Sequence, residues 1–336
     1  MSRRRSRNTG RSRSPRATQS AQGPSRRGRG SEGSTRSSSR SAWQEVLHWM
    51  NQPAPIVRLT ALRILLPLCI LGFMSSRIPY ATHWIGDAGF TVPDMGGDWR
   101  QPLYLPPLAD WAAWGLVAFM VVSGLALSAG LATPYAAGSF ALTLAWVALA
   151  DRLAAFTVSK LGTVLIFALW FSPAGARHSF DAWWLRRRRG GQEGAPAALP
   201  THVPRWVIGF FQATLVVMYC SSGICKARND WLTTSNLLWT HLHGSYQTGV
   251  THFVMNLLPA WSWNVLQGIT LLFELFAPLW FSLQKTRSLA LAWGLAMHAM
   301  IGLMFGPVIW FSLLMSTLLL CCFGPVSWLP RWALRW

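Results

Sequence analysis

A series of long apolar segments, separated by polar connections, is the feature that most constrains the fold of this chain. Helices rise about 1.5 Å per residue, so about 20 apolar residues cross the hydrocarbon core of a bilayer. In lipid, backbone polar groups must be hydrogen-bonded within the protein, which a helix achieves locally. The sequence therefore predicts an all-α, polytopic integral membrane bundle of about eight transmembrane helices, at residues 57–75, 108–129, 134–150, 158–171, 205–225, 261–283, 288–305 and 307–323.

The composition fits a membrane protein better than an ordinary soluble domain. Of the 336 residues, 51% are hydrophobic and 12% are charged. Twelve of the 30 Lys and Arg residues lie within residues 1–41, where the only acid is Glu32. The formal net charge of +19 is therefore largely a property of this amino-terminal segment.

Residues 1–41 form a Ser/Gly/Arg-rich segment with almost no apolar side chains. Such a segment cannot bury enough apolar surface to offset the entropy of ordering, so we expect a disordered cytoplasmic tail. Its arginines would be attracted to anionic lipid headgroups. Nucleic acid is not an expected partner, because these arginines do not line a folded face. The sequence does not identify a protein partner.

The segment after this tail carries a one-sided apolar pattern. Trp43, Val46, Leu47 and Met50 share one helical face, which predicts a short helix in the membrane interface at residues 42–52. The transmembrane domain would then comprise residues 42–336.

Basic residues outside the tail predict the orientation. With the amino terminus inside, eight transmembrane segments also place most other basic clusters inside, as the positive-inside rule requires: Arg177, the four arginines at 186–189, Arg205, Lys285, Arg287, Arg331 and Arg335. We therefore predict both termini in the cytoplasm, with the loops that contain Asp94 and Asn236 outside.

Lys226 stands where the apolar segment 205–225 meets a polar loop. One interpretation is a lysine that marks the helix end, with its stem in lipid and its ammonium in water. The other is a lysine in a low dielectric that loses its proton readily and acts as a base. Position alone favours the first interpretation.

Two further polar residues lie inside predicted transmembrane helices. Glu274 occupies the middle of segment 261–283, where a carboxyl group is costly and often functional. It could instead be a protonated group that fixes helix packing. His298 lies in segment 288–305 and could equally be a core imidazole that donates to a carbonyl group.

The remaining candidates carry weaker signals. His241, His243 and His252 share one loop, but no acidic or cysteine cluster completes a metal shell, so no metal site is predicted. Four of the five cysteines lie in apolar segments and should be small buried residues; Cys225 adjoins Lys226 at the helix end. Phosphate-binding glycine loops, G-x-S-x-G and HExxH motifs do not occur.

Three segments together resemble a known family. The pattern Y-x-x-x-G-x-x-K-x-x-x-x-W runs from Tyr219 to Trp231, with Lys226 as its lysine. GARHSFDAWW at residues 175–184 and the segment 272–306, with its E-L-F-x-P-L and later His, follow the same order. Over residues 58–325 the chain resembles the HTTM membrane domain, which is related to the membrane part of vitamin K-dependent γ-glutamyl carboxylase.

The resemblance implies chemistry for three residues. In the carboxylase the matching lysine deprotonates a reduced quinone, and the oxygenated product abstracts a glutamate γ-proton before CO₂ adds. Lys226 takes the place of that base, His298 that of the later histidine, and Glu274 that of an acid common in bacterial members. Where the carboxylase has a functional histidine this chain has Val158, and Cys225 replaces a second lysine. We also expect no counterpart of its extracytoplasmic substrate-binding domain.

Two functional hypotheses remain open. The first is a carboxylase-like or oxidoreductase enzyme of the bacterial inner membrane that acts with a reduced quinone at Lys226, His298 and Glu274. The second is a non-enzymatic membrane protein that binds a lipid or peptide partner in an immunity or export accessory role. An apolar slot of quinone size beside Lys226 would favour the first.

Overall fold

The computed structural model describes residues 41–89, 105–150, 157–189, 200–234, 237–244 and 246–328. Its helices, in chain order, are α1 (Ala42–Met50), α2 (Ile56–Ser75), α3 (Ala81–Trp84), α4 (Asp110–Ala129), α5 (Thr133–Ala150), α6 (Thr157–Trp170), α7 (Phe180–Arg189), α8 (Arg205–Arg228), α9 (Leu237–Leu242), α10 (Gly249–Leu257), α11 (Ala260–Leu275), α12 (Ala277–Ser282), α13 (Gln284–Met304) and α14 (Ile309–Phe323). The predictions for the tail before Ser41, for Asp94 and Asn236, and for the residues after Trp328 lie outside the described residues.

Six helical segments of the described chain are long and apolar enough to cross a membrane: Ile56–Ser75, Asp110–Ala129, Thr133–Ala150, Arg205–Arg228, Gln284–Met304 and Gly306–Phe323. Their apolar side chains cover all sides, as expected where one face packs on protein and the other on lipid. The prediction of a helical, multi-pass membrane protein is confirmed. The other two predicted transmembrane segments correspond to a shorter apolar helix, Thr157–Trp170, and to a broken one.

The predicted continuous helix at residues 261–283 is wrong, because the structure interrupts it at Phe276, between α11 and α12. Pro278 explains the break: proline has no N–H to donate to the carbonyl of Glu274 and disfavours a helical residue before it. The break places Glu274 in the last turn of α11, one residue from its end, rather than in the middle of a helix.

A second difference from the predicted all-α fold is a small antiparallel sheet of two three-residue strands. Strand β1 (Pro53–Pro55) precedes α2 and pairs with β2 (His202–Pro204), which precedes α8. Prolines confine both strands to extended backbone. The sheet holds the starts of α2 and α8 at one end of the bundle, which we call the basal end. Arg58 holds the end of α14 at the basal end as well, because it donates hydrogen bonds to the carbonyl oxygens of Cys321 (2.7 Å) and Gly324 (2.8 Å).

Helices α2 and α14 form the centre of the bundle. Helix α2 packs against α4, α6 and α14, and α14 packs against α13 and α8. The inward face of α2 carries fully buried aliphatic side chains at helical spacing, Leu59, Leu62, Leu66 and Ile70. Helix α8 also packs against α11 and α12, which brings the predicted site residues of separate segments together.

Candidate functional site

Lys226 lies in the last turn of α8 and its ammonium group faces α11. Its Nζ donates hydrogen bonds to both carboxylate oxygens of Glu274 at 2.6 Å each. The Lys226 side chain is 26% exposed and that of Glu274 is 8% exposed. Fourteen residues of α11 precede Glu274. At the helical rise they span about 21 Å, so the ion pair lies about that distance along the helix axis from the start of α11. Both residues were predicted for the site, but their direct pairing was not.

Trp231 is a second contact of the ammonium group. The Nζ of Lys226 lies 5.0 Å from the centre of the Trp231 ring, a distance at which the ring face attracts a cation. The carboxylate of Glu274 and the indole of Trp231 therefore both hold the lysine. This arrangement accounts for the tryptophan five positions after the lysine in the sequence pattern.

Gly223 allows the close approach of α8 and α11. A Cβ atom at this position would lie 2.7 Å from the backbone nitrogen of Leu275 and 3.0 Å from the carbonyl carbon of Glu274. Any larger side chain would therefore push α11 away from α8. Gly223 is three residues before Lys226, on the same face of α8. The glycine of the pattern thus sets the distance over which Lys226 and Glu274 meet.

His298, on α13, meets Tyr219 rather than Lys226. Its Nε2 shares a 2.7 Å hydrogen bond with the Tyr219 hydroxyl group. The Tyr219 ring packs edge-on against Phe273 and stacks on Phe281, and His298 is 2% exposed. The His298 Nδ1 atom is buried without a hydrogen-bond partner among the described residues. Tyr219, Gly223 and Lys226 occupy one face of α8, spaced by four and three residues, and together connect α8 to α11 and α13.

Gln267 is a site residue that the sequence reasoning missed. Its Nε2 donates to the carbonyl oxygens of Trp231 (2.5 Å) and Thr234 (3.0 Å), and its Oε1 accepts from the Leu238 backbone nitrogen (3.1 Å). The Trp231 indole nitrogen donates in turn to the Gln267 carbonyl oxygen at 3.0 Å. Gln267 lies seven residues before Glu274 on the same face of α11. The sequence signal that could have identified Gln267 is its position as an amide side chain within an apolar segment.

The segment at residues 175–184, part of the family resemblance, lies at the basal end and does not contact Lys226. There Asp181 accepts hydrogen bonds from the backbone nitrogens of Ala132 (2.8 Å) and Thr133 (2.7 Å) and from the Thr133 hydroxyl (2.7 Å). A carboxylate in this position compensates the free N–H groups and positive dipole at the start of α5. Its role is therefore to hold helices together.

Among the described residues, the loop histidines and the cysteines show no arrangement for metal binding. His241 and His243 each bond through Nδ1 to a carbonyl oxygen of their own helical turn, and His252 contacts Asn256. Within the part of the chain that the structure describes, no three His, Cys, Asp or Glu side chains are grouped to hold a metal ion. All five cysteines are free thiols; Cys69, Cys321 and Cys322 are buried, and Cys225 is exposed.

Three cavities of the described chain lie away from Lys226. Two flank Asp181 at the basal end, with volumes of about 260 and 310 Å³. The third, of about 330 Å³, is a wholly apolar groove between α6 and α8 lined by Val164, Phe167, Ala168, Phe171, Trp206, Val207 and Phe210. Lys226, Glu274 and His298 line none of the three.

The fold and site define a helical membrane protein in which a buried polar cluster joins α8 to α11 and α13. The HTTM domain family model matches residues 51–328, and the chain belongs to that family. The domain relates it to the membrane part of vitamin K-dependent γ-glutamyl carboxylase. No curated protein and no solved structure matches the chain.

Proposed function

We propose that this protein is an enzyme that carries out proton transfer at Lys226 on a reduced membrane quinone. The observation that supports the proposal most strongly is the ion pair of Lys226 with the nearly buried Glu274. Intramembrane charges are costly, and those that face a helix interface often mark a proton pathway. We further propose a bacterial inner membrane location with both termini in the cytoplasm.

The ion pair suggests how Lys226 becomes a base. As an ammonium ion that donates to Glu274, the lysine has no free lone pair. Transfer of one proton from Nζ to the carboxylate leaves a neutral amine and a neutral acid, with no change in total charge. The amine can then accept a hydroxyl proton from the substrate, and Glu274 retains the first proton.

The residues around the pair fit a phenolic, lipid-soluble substrate in two respects. The partnerless Nδ1 of His298 is a buried polar atom able to bond a hydroxyl or carbonyl oxygen. Ile224 on α8, Leu272 on α11 and Phe276 at the break after α11 expose apolar side chains, as expected of a surface that faces lipid. A reduced quinone would supply an acidic hydroxyl group and reducing electrons.

The second candidate function is a non-enzymatic membrane protein that binds a lipid or peptide partner. The double hydrogen bond from Lys226 to Glu274 favours it, because such a pair also fixes the packing of two helices without any reaction. The cavities described above likewise lie away from the lysine.

The test is oxidation of a reduced quinone by dissolved dioxygen as the electron acceptor, catalysed by the purified full-length protein in lipid nanodiscs, with identification of co-purified quinones. Loss of a general base should lower the rate by at least about 100-fold in Lys226→Met. Lys226→Arg should be equally inactive, since a guanidinium keeps the charge but does not deprotonate near neutral pH. Arg228→Met, two residues away and exposed, is the matched control and should keep its rate. Full activity in Lys226→Arg, or no quinone and no turnover in the wild type, would contradict the enzymatic proposal.

A further inference from the structure

Helix α7 projects from the basal end and is fixed there at its start. The Ser179 hydroxyl accepts a hydrogen bond from the Ala182 backbone nitrogen at 2.9 Å, and Asp181 bonds to the start of α5. The backbone nitrogen of Asp181 also donates to the Gly130 carbonyl oxygen at 3.1 Å. These bonds set the direction of α7, although its side chains from Trp183 to Arg188 are exposed.

Three aromatic rings form an exposed cluster on α7. Phe180 contacts Trp183 and Trp184 at ring-centre distances of 5.2 and 6.4 Å, and the two tryptophans lie 6.2 Å apart. Each ring belongs to a side chain that is 45–47% exposed. Tryptophan rings at the end of a membrane bundle are typical of the headgroup region, where one edge is apolar and the other is wet.

An arginine stacks on each tryptophan one helical turn later. The guanidinium carbon of Arg187 lies 5.4 Å from the Trp183 ring centre, and that of Arg188 lies 4.8 Å from the Trp184 ring. Stacking uses the flat face of a guanidinium group and leaves its N–H edge available to bind phosphate in a bidentate manner. The two aromatic and basic pairs therefore present phosphate-binding donors at the edge of an apolar cluster.

A hollow beside this cluster completes the surface. It has a volume of about 310 Å³ and is lined by Leu131, Ala132, Phe180, Asp181 and Trp184. Trp184 thus contributes to the wall of the hollow and also carries Arg188. A ligand with a phosphate group joined to an apolar body matches both features at once.

We propose that α7 and this hollow form a binding site for an anionic phospholipid of the surrounding bilayer. The phosphate binds the stacked Arg187 and Arg188 side chains, and the glycerol and upper acyl region occupy the hollow against Phe180 and Trp184. A lipid is the occupant because the bundle spans a membrane and the cluster lies at one end of it. The positive charge of residues 186–189 complements an anionic headgroup.

The experiment compares lipid binding by the delipidated full-length protein in detergent, with native mass spectrometry giving the dissociation constant of the first bound lipid. Wild type should bind phosphatidylglycerol more tightly than phosphatidylcholine. Arg188→Gln should weaken phosphatidylglycerol binding by about fivefold, the value of one basic residue at an anionic surface. Trp184→Ala should weaken it as well. Lys285→Gln, which removes one exposed charge from the start of α13, is the matched control and should bind as wild type does.

Three results would overturn the proposal: equal affinity for the two lipids, unchanged binding in Arg188→Gln, or an equal loss in Lys285→Gln. Displacement of phosphatidylglycerol by inorganic phosphate at equal concentration would show a site for a soluble anion instead. Because α7 is exposed and its start is held by the backbone and Asp181, the variants should fold. An unchanged thermal unfolding midpoint in detergent checks this.

Discussion

Glu274 accepts both of the hydrogen bonds that join Lys226 to α11, at 2.6 Å from each carboxylate oxygen, across 48 positions of the sequence. The carboxylate is nearly buried whereas the lysine keeps a quarter of its surface exposed. Removal of the lysine therefore leaves a buried charge without its partner, whereas removal of both leaves none.

This asymmetry predicts the outcome of a double-mutant cycle. Lys226→Met should destabilise the protein by about 3 kcal/mol, the lower end for a broken buried pair, because Lys226 is partly exposed. Glu274→Gln in the same chain should restore much of that loss, since no unpaired charge remains. Thermal unfolding in a fixed detergent measures all four proteins. Additive losses in the double variant would show that the two side chains are not coupled.

Gly223 should not tolerate a methyl group. Alanine normally favours a helix over glycine by up to about 1 kcal/mol, but here its Cβ would meet the backbone of Leu275 at 2.7 Å. Gly223→Ala should therefore destabilise by about 1–3 kcal/mol, as overpacking does. In Gly268→Ala, on α11, the Cβ would meet nothing within 4 Å, so this control should be neutral or slightly stabilising. Equal behaviour of the two variants would contradict the close approach of α8 and α11.

Gln267 should control the order of the segment after α8. Gln267→Leu removes the side-chain bonds to Trp231, Thr234 and Leu238, and Trp231 is the residue that covers the Lys226 ammonium. Amide hydrogen exchange should become faster at residues 229–234, 237 and 238. The control is Asn264→Leu, an exposed position one turn earlier on α11, which should leave exchange in that segment unchanged. Unchanged exchange in Gln267→Leu would mean that other contacts hold the segment.

Asp181 should act as a cap on α5. Asp181→Ala removes three hydrogen bonds at Ala132 and Thr133 and should lower stability by about 2 kcal/mol, the upper end for a helix cap. Asp110→Ala tests the first turn of α4, where no side-chain cap bond is present, and should cost far less. Similar losses would argue against a capping role. Neither variant should alter the Lys226 site, which a quinol assay would report.

The predicted orientation can be tested by single-cysteine labelling in intact cells, in a variant lacking the native cysteines. An impermeant reagent should label Asn236→Cys and leave Gly191→Cys unlabelled until the membrane is opened. The basis is the positive-inside distribution of the arginines at 186–189. Labelling of Gly191→Cys in intact cells would contradict the predicted orientation, because it would place that loop outside the cell.

Much of the architecture could be predicted because its cause is local in the sequence. A run of about 20 apolar residues must become a helix in lipid whatever surrounds it, and the starts and ends of α2, α5 and α8 lie within a few residues of the predicted ones. Lys226, Glu274 and His298 were identified for the same reason, as isolated polar residues in or beside apolar segments. The break at Phe276 had its signal in Pro278, which the apolar run obscured.

Sequence alone thus determined the class of fold, six of the eight predicted membrane-crossing segments and the polar residues in or beside the apolar segments. Only the tertiary structure decided which of these residues meet: Lys226 with Glu274, Tyr219 with His298, and Gln267 with the segment after α8. The physical reason is that a helix apolar on all sides has no periodic pattern to set its rotation or depth. For α8 and α11, rotation and depth are set by their packing at Gly223, which has no side chain to keep the two backbones apart.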